Sequence, residues 1–227
     1  MTNKINSSGN KIQRTFVTDE AYKILEEQIV FGKLAPKTQI KIKDLSEDLG
    51  ISRTPVREAI LRLENEGLVV SKPNLWTQVA PIDIESVKDI YPLVAYLETF
   101  ALRDGFDNVD DDFVCNLKEI NLSIKEAYEA HDLKRLLELD NDFHDKIISL
   151  SANKEVQGIL NDLKKKIIRI EVYVYNNMSR DYRTSNQHED IIKAFEKRDE
   201  NLCVEELNNN WISTLNDFKD LIDNFKE

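Results

Sequence analysis

The feature that most constrains this 227-residue chain is the uneven distribution of its turn-forming residues. Eight of its eleven glycines and prolines lie within the first 81 residues, and only three follow. Because glycine and proline interrupt regular elements, the first part favours short elements and tight turns, whereas the second part favours long helices. The sequence therefore predicts a boundary near Ala80–Pro81 between a small turn-rich module and a long helical one.

The charge divides at the same place. The chain has 31 Lys and Arg against 42 Asp and Glu, a formal net charge of −11. Residues 1–80 carry 12 basic and 10 acidic side chains, whereas residues 81–227 carry 19 and 32. The overall charge argues against a nucleic-acid partner, but nearly all of the excess acid belongs to the second part. The first part remains compatible with binding a polyanion.

No segment of the sequence is suited to a membrane. No uninterrupted apolar stretch approaches the roughly 18 residues that a spanning helix needs. Residues 1–15 also lack the apolar core of a secretory signal. We therefore expect a cytoplasmic protein that does not enter a membrane.

A helix-turn-helix is predicted in the middle of the first part. A two-turn helix over residues 43–49 ends at Gly50, and Ser52 then caps a longer helix from about Arg53 to Glu66. A short helix, a four-residue turn and a longer helix together make this motif.

Two further elements flank the motif. An amphipathic helix is predicted over residues 18–31, with Thr18 as its N-cap and Gly32 just past its end. After the motif, residues 68–71 and 76–79 are predicted to form the two strands of a small hairpin. This hairpin would be the wing of a winged helix-turn-helix.

The longer helix of the motif has two different sides. Its apolar positions follow helical spacing and are committed to the core, namely Val56, Ala59, Ile60 and Leu63. Arg53 and Arg57, one turn apart, point the other way, and guanidinium groups can pair with guanine or hold phosphates. Arg62 is interpreted as the partner of Glu58, without a DNA role. Alternatively, Arg53 and Arg57 only solvate an exposed face.

Residues 14–80 resemble the winged helix-turn-helix of the GntR family of bacterial transcription regulators, above all in the segment ISRTPVREAILRLENEGLV. The resemblance implies that operator DNA is contacted by Lys43, Ser52, Arg53, Thr54 and Arg57. The wing departs from the family pattern, because Asn74, Leu75 and Trp76 stand where many relatives have a glycine-flanked basic tip. Contact between the wing and the minor groove is therefore left open.

From Asp83 onward the pattern predicts about six helices of roughly 15–25 residues in an antiparallel bundle. Breaks are expected near residues 105–108, 131–132, 151–153, 179–186 and 198–199. Residues 168–175 alternate like a strand, but the absence of a turn signal between Ile159 and Met178 favours a helix. Pro92 is expected to kink the first helix of the bundle or to mark a fresh start.

Polar residues occupy positions of this bundle where its helices are otherwise apolar. Asp140 and His144 share one apolar stripe, His188 lies on a second and Asn210 on a third. Burying such groups without partners costs several kcal/mol, so they must bind each other, water, a metal or a ligand. One Asp with two His suits Zn²⁺, Ni²⁺ or Mn²⁺.

Residues 83–222 resemble the ligand-binding bundle of the FadR-like branch of the GntR family, the FCD domain. In metal-binding members an Asp, a His four residues later and two further His hold a divalent metal beneath an effector carboxylate. Asp140, His144 and His188 match three of these ligands, and Asn210 falls on the fourth as a weaker one. An arginine that is frequent in the first helix of the bundle is replaced by Val94. Three alternatives stay open: a metal-supported effector site, a metal-free polar pocket, and a closed Asp140–His144 pair without function.

The predicted class is all-α with a small β-wing. The expected organisation is a flexible N-terminus over residues 1–13, a DNA-binding domain over residues 14–80, and a helical effector-binding and dimerisation domain over residues 81–227. The resemblance implies a homodimeric regulator that is not an enzyme. It binds double-stranded operator DNA, more commonly as a repressor than as an activator, under the control of a small anionic metabolite. Two alternatives are a metal-dependent enzyme built on the bundle and a protein-interaction module whose winged helix does not read DNA.

Overall fold

The computed structural model describes residues 10–178 and 184–226 of the chain. It divides into two compact units, Met1–Ile82 and Asp83–Glu227. Helices dominate both units, and the strands within the described ranges form one small antiparallel sheet. The predicted class, all-α with a β-wing, is confirmed. None of the described helices combines the length and the apolar character that crossing a bilayer requires.

The first unit contains three helices followed by a hairpin. The helices are α1 (Asn10–Val30), α2 (Ile42–Asp48) and α3 (Arg53–Asn65). The strands are β1 (Val69–Lys72) and β2 (Trp76–Val79). One core unites them, to which α1 contributes Leu25, α3 contributes Leu63 and the hairpin contributes Val79. The predicted winged helix-turn-helix is confirmed.

The turn between α2 and α3 depends on a glycine. Gly50 has a φ of +65°, in the left-handed region where a side chain is strained. The chain then enters α3 through Ser52, which occupies the N-cap position without a side-chain capping hydrogen bond. The predicted cap is therefore present by position but does not make the expected bond.

The first helix begins earlier than predicted. Thr18 was expected to be its N-cap, but α1 starts at Asn10 and Thr18 lies inside it. The Thr18 hydroxyl instead donates to Glu58 Oε2 at 3.0 Å and so links α1 to α3. Residues 10–13 of the segment expected to be flexible are helical, and residues 1–9 lie outside the described residues.

Six α-helices form the described part of the second unit, as predicted. They are α4 (Val87–Gly105), α5 (Asp111–Glu129), α6 (Leu133–Ile148), α7 (Lys154–Met178), α8 (Thr184–Glu196) and α9 (Glu200–Lys226). The helix α4 is central, because it packs against α6, α7 and α9, while α5 packs against α6 and α8. Aromatic rings fill the space between α4 and α9, where Tyr91 contacts both Trp211 and Phe218.

Both ambiguous segments of the second unit are helical. Residues 168–175 lie within the continuous helix α7, whose buried Ile167, Ile170 and Val174 follow helical spacing. Pro92 lies inside α4, so it does not mark a fresh start. The expected breaks separate consecutive helices, although the one at residues 179–186 falls partly outside the described residues.

Gly105 allows the end of α4 to approach the segment after α6 closely. A Cβ at this position would lie 2.1 Å from the Leu150 carbonyl oxygen, so any side chain here would force the backbone to shift. Asn108 donates to the same carbonyl at 3.2 Å, and the Ser151 hydroxyl donates to Asp104 at 2.5 Å. These contacts fix α6 against α4, and α6 carries two of the predicted metal ligands.

Candidate DNA-binding surface and metal centre

The helix α3 has an apolar side and, opposite to it, a cationic side. Val56, Ala59 and Leu63 are completely buried, so the core fixes the rotation of the helix about its axis. Arg53 and Arg57 are exposed on the opposite side. Within the described part of the chain, neither guanidinium group takes part in an ion pair. Both groups can therefore bind a ligand from the solvent side without breaking an existing contact.

The other predicted DNA contacts are also exposed. Ser52 and Thr54 flank Arg53 at the N-terminus of α3, where the backbone N–H groups of the first turn have no partners within the helix. Lys43 lies in the first turn of α2, with its ammonium group 3.8 Å from the Glu47 carboxylate. An ion pair this exposed contributes little, so phosphate can replace it. The role of Lys43, Ser52 and Thr54 in DNA binding stays a prediction.

Arg62 has partners other than the expected one. Its guanidinium group lies 3.6 Å from the centroid of the Tyr22 ring and forms ion pairs with Asp19 at 3.6 Å and Glu66 at 3.3 Å. The predicted pair with Glu58 was wrong, because a guanidinium group between an aromatic face and two carboxylates gains more than one exposed pair offers. Arg62 thus fastens α3 to α1, in agreement with the absence of a predicted DNA role.

The structure brings together the three predicted metal ligands of the second unit. Asp140 and His144 lie one turn apart on α6, and His188 lies on α8. One ligand atom from each residue lies within 4.8 Å of the others. Both imidazoles are buried, and the side chain of Asp140 is 16% exposed. Carboxylate oxygen and imidazole nitrogen bind divalent metals at about 2.0–2.2 Å, so one ion could reach all three after small movements.

His188 is the residue that most clearly lacks a partner. Neither of its buried ring nitrogens has a hydrogen-bond partner among the described residues, and its Nε2 lies 3.5 Å from Asp140 Oδ1. Its ring stacks on Phe143 with a centroid distance of 4.0 Å. Burial, followed by the nearby His144, holds the pKa of His188 well below its ordinary value. The ring is therefore neutral, which is the form that binds a metal.

His144 is held by a carboxylate that the sequence analysis missed. Glu98 on α4 is completely buried, and its Oε1 lies 2.8 Å from His144 Nδ1. Its other oxygen accepts from the Trp211 indole N–H. Burial acts to lower the pKa of His144, but the charge and hydrogen bond of Glu98, together with Asp140, outweigh it and raise the pKa above its ordinary value. A histidine held through Nδ1 in this way keeps Nε2 for a metal.

A signal for Glu98 was present in the sequence. It occupies an apolar stripe of α4, between Val94 and Leu102, in the same way that Asp140 interrupts the stripe of α6. The hydrogen bond between His144 and Glu98 also argues against a closed Asp140–His144 pair, because the imidazole is engaged elsewhere.

Asn210, the possible weak fourth ligand, is buried on α9. Its side-chain nitrogen donates to Gln187 Oε1 at 3.0 Å, next to His188 in the chain. Its place in a metal site stays a prediction.

A cavity of about 20 Å³ lies beside these residues, which is room for roughly one water molecule or ion. Its lining includes Asp140, His144, Lys164, Glu171 and Trp211. The buried ammonium group of Lys164 binds Asp145 and lies 3.3 Å from the carbonyl oxygen of Asn141. The donor set and the two unpartnered nitrogens of His188 fit a divalent ion, and the free volume is too small for a metabolite.

Two family models match the chain. The model "Bacterial regulatory proteins, gntR family" matches residues 17–79, and the model "FCD domain" matches residues 89–210, more than half of the chain. This chain belongs to the GntR family and carries an FCD domain. It is a transcriptional regulator whose relatives and fold are not those of enzymes, which decides against the metal-dependent enzyme considered above.

Individual proteins similar to this GntR regulator are also transcriptional regulators. The HTH-type transcriptional repressor RspR of Escherichia coli K12 is 26% identical over 183 residues, which cover 81% of this chain and 80% of RspR. The Nta operon transcriptional regulator of Aminobacter aminovorans is 30% identical over 132 residues, which cover 58% of this chain and 62% of that protein.

Solved structures show the same fold. The structure of E. coli McbR/YncC has a TM-score of 0.78 at 20% identity and covers 90% of this chain and 97% of its own. A GntR transcriptional regulator from Rhodococcus sp. RHA1 has a TM-score of 0.75 at 20% identity and covers 88% and 96%. At this level of identity the likeness concerns the fold alone.

Proposed function

We propose that this GntR regulator is a homodimeric cytoplasmic repressor that grips operator DNA through the exposed side of α3. One observation carries the proposal: Arg53 and Arg57 are exposed one turn apart, without ion pairs among the described residues, on a helix whose other side is fixed in the core. Lys43, Ser52 and Thr54 support them from the adjoining turns. Repression is supported by the relative RspR, which is named a repressor.

We further propose that Asp140, His144 and His188 hold one divalent metal, Zn²⁺, Ni²⁺ or Mn²⁺, with Asn210 as a weak fourth ligand. When bound, the metal would supply positive charge for a carboxylate-bearing effector. That charge would offset the carboxylates of Asp140 and Glu171, which lie on the lining of the pocket together with Lys164. A metal-free pocket of this composition would repel an anion, so we favour the metal-supported alternative.

Effector binding is coupled to a movement of the bundle. A cavity of about 20 Å³ does not hold a carboxylic acid of several carbon atoms. The effector must therefore bind a form of the unit in which the helices around the cavity have separated. A ligand that binds this form more tightly shifts the population toward it, and the affinity for operator changes by the same coupling energy.

We propose α4 as the surface through which two copies pair. Leu93, Tyr96 and Phe100 are 45%, 69% and 42% exposed, and their spacing places them on one side of α4. On the same side, Asp89 and Arg103 lie seven residues before and after Tyr96. An antiparallel pair of α4 helices related by a two-fold axis at Tyr96 therefore brings Asp89 to Arg103 of the partner subunit. Such a dimer presents two winged helices to a palindromic operator.

The DNA-binding proposal is tested with duplexes selected by the purified protein from a random library. Arg53→Ala and Arg57→Ala should each weaken binding to the selected duplex by about 5- to 150-fold, the loss of one bidentate contact. Lys197→Ala, which removes an exposed positive charge from the second unit, is the matched control and should change the affinity less than twofold. If both arginine variants retain the affinity and salt dependence of the unaltered protein, α3 does not read DNA and the interaction-module alternative gains support.

The metal proposal is tested by thermal unfolding after removal of bound metals. Added Zn²⁺, Ni²⁺ or Mn²⁺ should raise the melting temperature, since an ion that binds only the folded state stabilises it. The increase should disappear in His188→Ala and persist in His131→Asn, whose exposed loop position has a positive φ that asparagine tolerates. A panel of mono-, di- and tricarboxylates should then change operator affinity only when metal is present. Absence of a metal-dependent shift in the unaltered protein contradicts this part of the proposal.

The dimer proposal is tested by sedimentation equilibrium. Tyr96→Glu should convert the dimer to a monomer, because it buries a charge in an apolar contact. Tyr128→Glu, at an exposed position on α5, should leave the dimer intact. A dimer that survives Tyr96→Glu unchanged would exclude α4 as the interface.

A further inference from the structure

A further side chain that can bind a metal faces the small cavity of the second unit. The cavity is lined by Asp140 and His144 from α6 and by Glu171 from α7. Its volume of about 20 Å³ is room for roughly one ion or water molecule. Carboxylate oxygen and imidazole nitrogen are both ligands of divalent metals. Three potential ligands therefore border a space that holds a single ion.

Glu171 is held at the lining of the cavity by a contact with α4. The residue is 7% exposed, and the hydroxyl of the completely buried Tyr91 donates to its Oε1 at 3.1 Å. A carboxylate has two oxygens with about four lone-pair sites, so this bond does not exhaust its capacity to accept. The bond to Tyr91 thus restricts the orientation of the carboxylate and leaves it able to bind a metal.

The charges on the lining favour a divalent cation. Asp140 and Glu171 contribute carboxylates, and an ionised carboxylate is stabilised by a cation close to it. The ammonium group of Lys164, which also lies on the lining, binds Asp145 and lies 3.3 Å from the Asn141 carbonyl oxygen. A metal that reaches both carboxylates interacts with two opposite charges instead of one. Glu171 therefore strengthens the attraction that Asp140 alone exerts on a metal.

Glu171 fits the role of an additional ligand better than Asn210 does. Asn210 is not one of the described residues that line the cavity, and its side-chain nitrogen donates to Gln187. Its neutral amide oxygen also binds a divalent ion less strongly than a carboxylate does. Glu171 has both the position on the cavity and the negative charge that Asn210 lacks.

A metal bound to Glu171 would connect helices that otherwise touch little. Among the described helices, α7 packs chiefly against α4 and only slightly against α6. Asp140 and His144 belong to α6, and His188 belongs to α8. One ion held by these residues and by Glu171 would link α7 to both helices. Any ligand that replaces Glu171 at the ion removes this link.

The proposed effector carries the same chemical group as Glu171, and a cavity of about 20 Å³ does not hold both carboxylates. We propose that Glu171 is a metal ligand supplied by α7, and that the carboxylate of the effector competes with it for one position at the metal. Replacement of Glu171 releases α7, which is the separation of helices that the size of the cavity requires for effector binding. The inference rests on the proposed metal site of Asp140, His144 and His188.

The first test measures metal affinity in the full-length protein with Co²⁺, which can take the place of Zn²⁺ and absorbs visible light when bound. Glu171→Gln keeps an acceptor for Tyr91 and should weaken Co²⁺ binding by at least about tenfold, because even side chains that only support metal ligands contribute this much. Glu171→Asp keeps the charge but shortens the side chain, so it should also weaken binding, and it replaces Glu171→Gln if that variant does not fold. Glu155→Gln, which removes an exposed carboxylate from the same helix, is the matched control and should leave the affinity unchanged.

The second test adds acetate as a probe for the carboxylate of the effector. Acetate should restore the Co²⁺ affinity of Glu171→Gln, because it supplies the missing carboxylate. It should also bind this Co²⁺-loaded variant about tenfold more tightly than the unaltered protein, in which Glu171 occupies the position. Unchanged Co²⁺ affinity in both Glu171 variants, or equal acetate affinity in Glu171→Gln and the unaltered protein, would overturn the inference, while loss of Co²⁺ binding in His188→Ala would uphold the metal site. If the unaltered protein binds no Co²⁺, the proposed metal site and this inference both fail.

Discussion

The two units of this regulator place their polar chemistry in opposite locations. In the first unit, Ser46 is the single polar side chain that is buried among the described residues, and its hydroxyl donates to a backbone carbonyl. In the described part of the second unit, ten polar or charged side chains are buried, among them Glu98, His144 and His188. The first unit therefore carries its candidate site outside an apolar core, and the second carries its candidate site within the core.

This difference has an energetic consequence. A cation in solvent costs the folded state almost nothing, so residues that contact DNA can change without loss of stability. A buried carboxylate or imidazole must be desolvated, and its partners then become part of what holds the fold together. Substitutions at the candidate site should therefore leave the stability of the first unit nearly unchanged, whereas those at the candidate site of the second unit should change its stability.

The largest effect is expected at Glu98. The change Glu98→Ala leaves the His144 ring nitrogen and the Trp211 indole N–H without their shared acceptor inside the core. We expect a loss of about 3–5 kcal/mol in the free energy of unfolding, the usual result of breaking a buried charged pair. Urea unfolding followed by circular dichroism measures it. Glu98→Gln keeps an acceptor of the same shape and should lose less, and a loss below about 1 kcal/mol in Glu98→Ala would refute the coupling.

The next prediction compares substitutions of glycines in the two units. Gly105→Ala forces a Cβ against the Leu150 carbonyl and should cost about 1–3 kcal/mol, as overpacking does. Gly50→Ala meets no atom within 4 Å but has a φ of +65°, so it should cost about 1–2 kcal/mol through backbone strain. Gly158→Ala, inside α7 with open space around it, is the control and should stabilise the protein by about 0.5–1 kcal/mol. Thermal unfolding of the three variants decides whether Gly105 is needed for close packing.

Much of this architecture could be predicted because local patterns were strong. The spacing of Val56, Ala59 and Leu63 fixed which side of α3 is buried, so Arg53 and Arg57 had to face solvent. The helix ends and the hairpin could be predicted for the same reason, because the glycines and the strand-like segments that indicate them are local features of the sequence. The prediction failed where a side chain was engaged by a distant part of the chain, as when Thr18 bound Glu58 and Arg62 bound Tyr22.

The candidate metal site could also be predicted in part, because two of its three residues lie close together in the sequence. Asp140 and His144 share a helix, so their spacing alone places them on one side of it. The contribution of Glu98 depends on the packing of α4 against α6 and α9. Its hydrogen-bond partners His144 and Trp211 lie 46 and 113 positions further along the chain. A single sequence contains the anomaly, a carboxylate in an apolar stripe, but does not contain the identity of its partner.

Replacing His188 is expected to change the free energy of unfolding by a smaller amount, and to increase it rather than decrease it. In the absence of metal its two buried nitrogens have no hydrogen-bond partner among the described residues, and such a group costs about 1–3 kcal/mol. His188→Leu, with a side chain of similar volume, should therefore stabilise the metal-free protein by about 1 kcal/mol while removing its response to metal. Urea unfolding with and without Zn²⁺ measures both changes. A clear destabilisation of the metal-free protein would show that the imidazole has a structural partner.

The smallest effect is expected at Arg57, where the first unit separates its site from its stability. Arg57 is exposed and has no ion pair among the described residues, and alanine is at least as good a helix former. Arg57→Ala should change the free energy of unfolding by less than about 0.5 kcal/mol, although it removes a proposed DNA contact. Arg62→Ala is the matched control on the same helix, and it should cost about 1 kcal/mol because it loses the Tyr22 ring. If urea unfolding instead shows equal losses for the two variants, the side of α3 that faces solvent also supports the fold, and the contrast between the two units disappears.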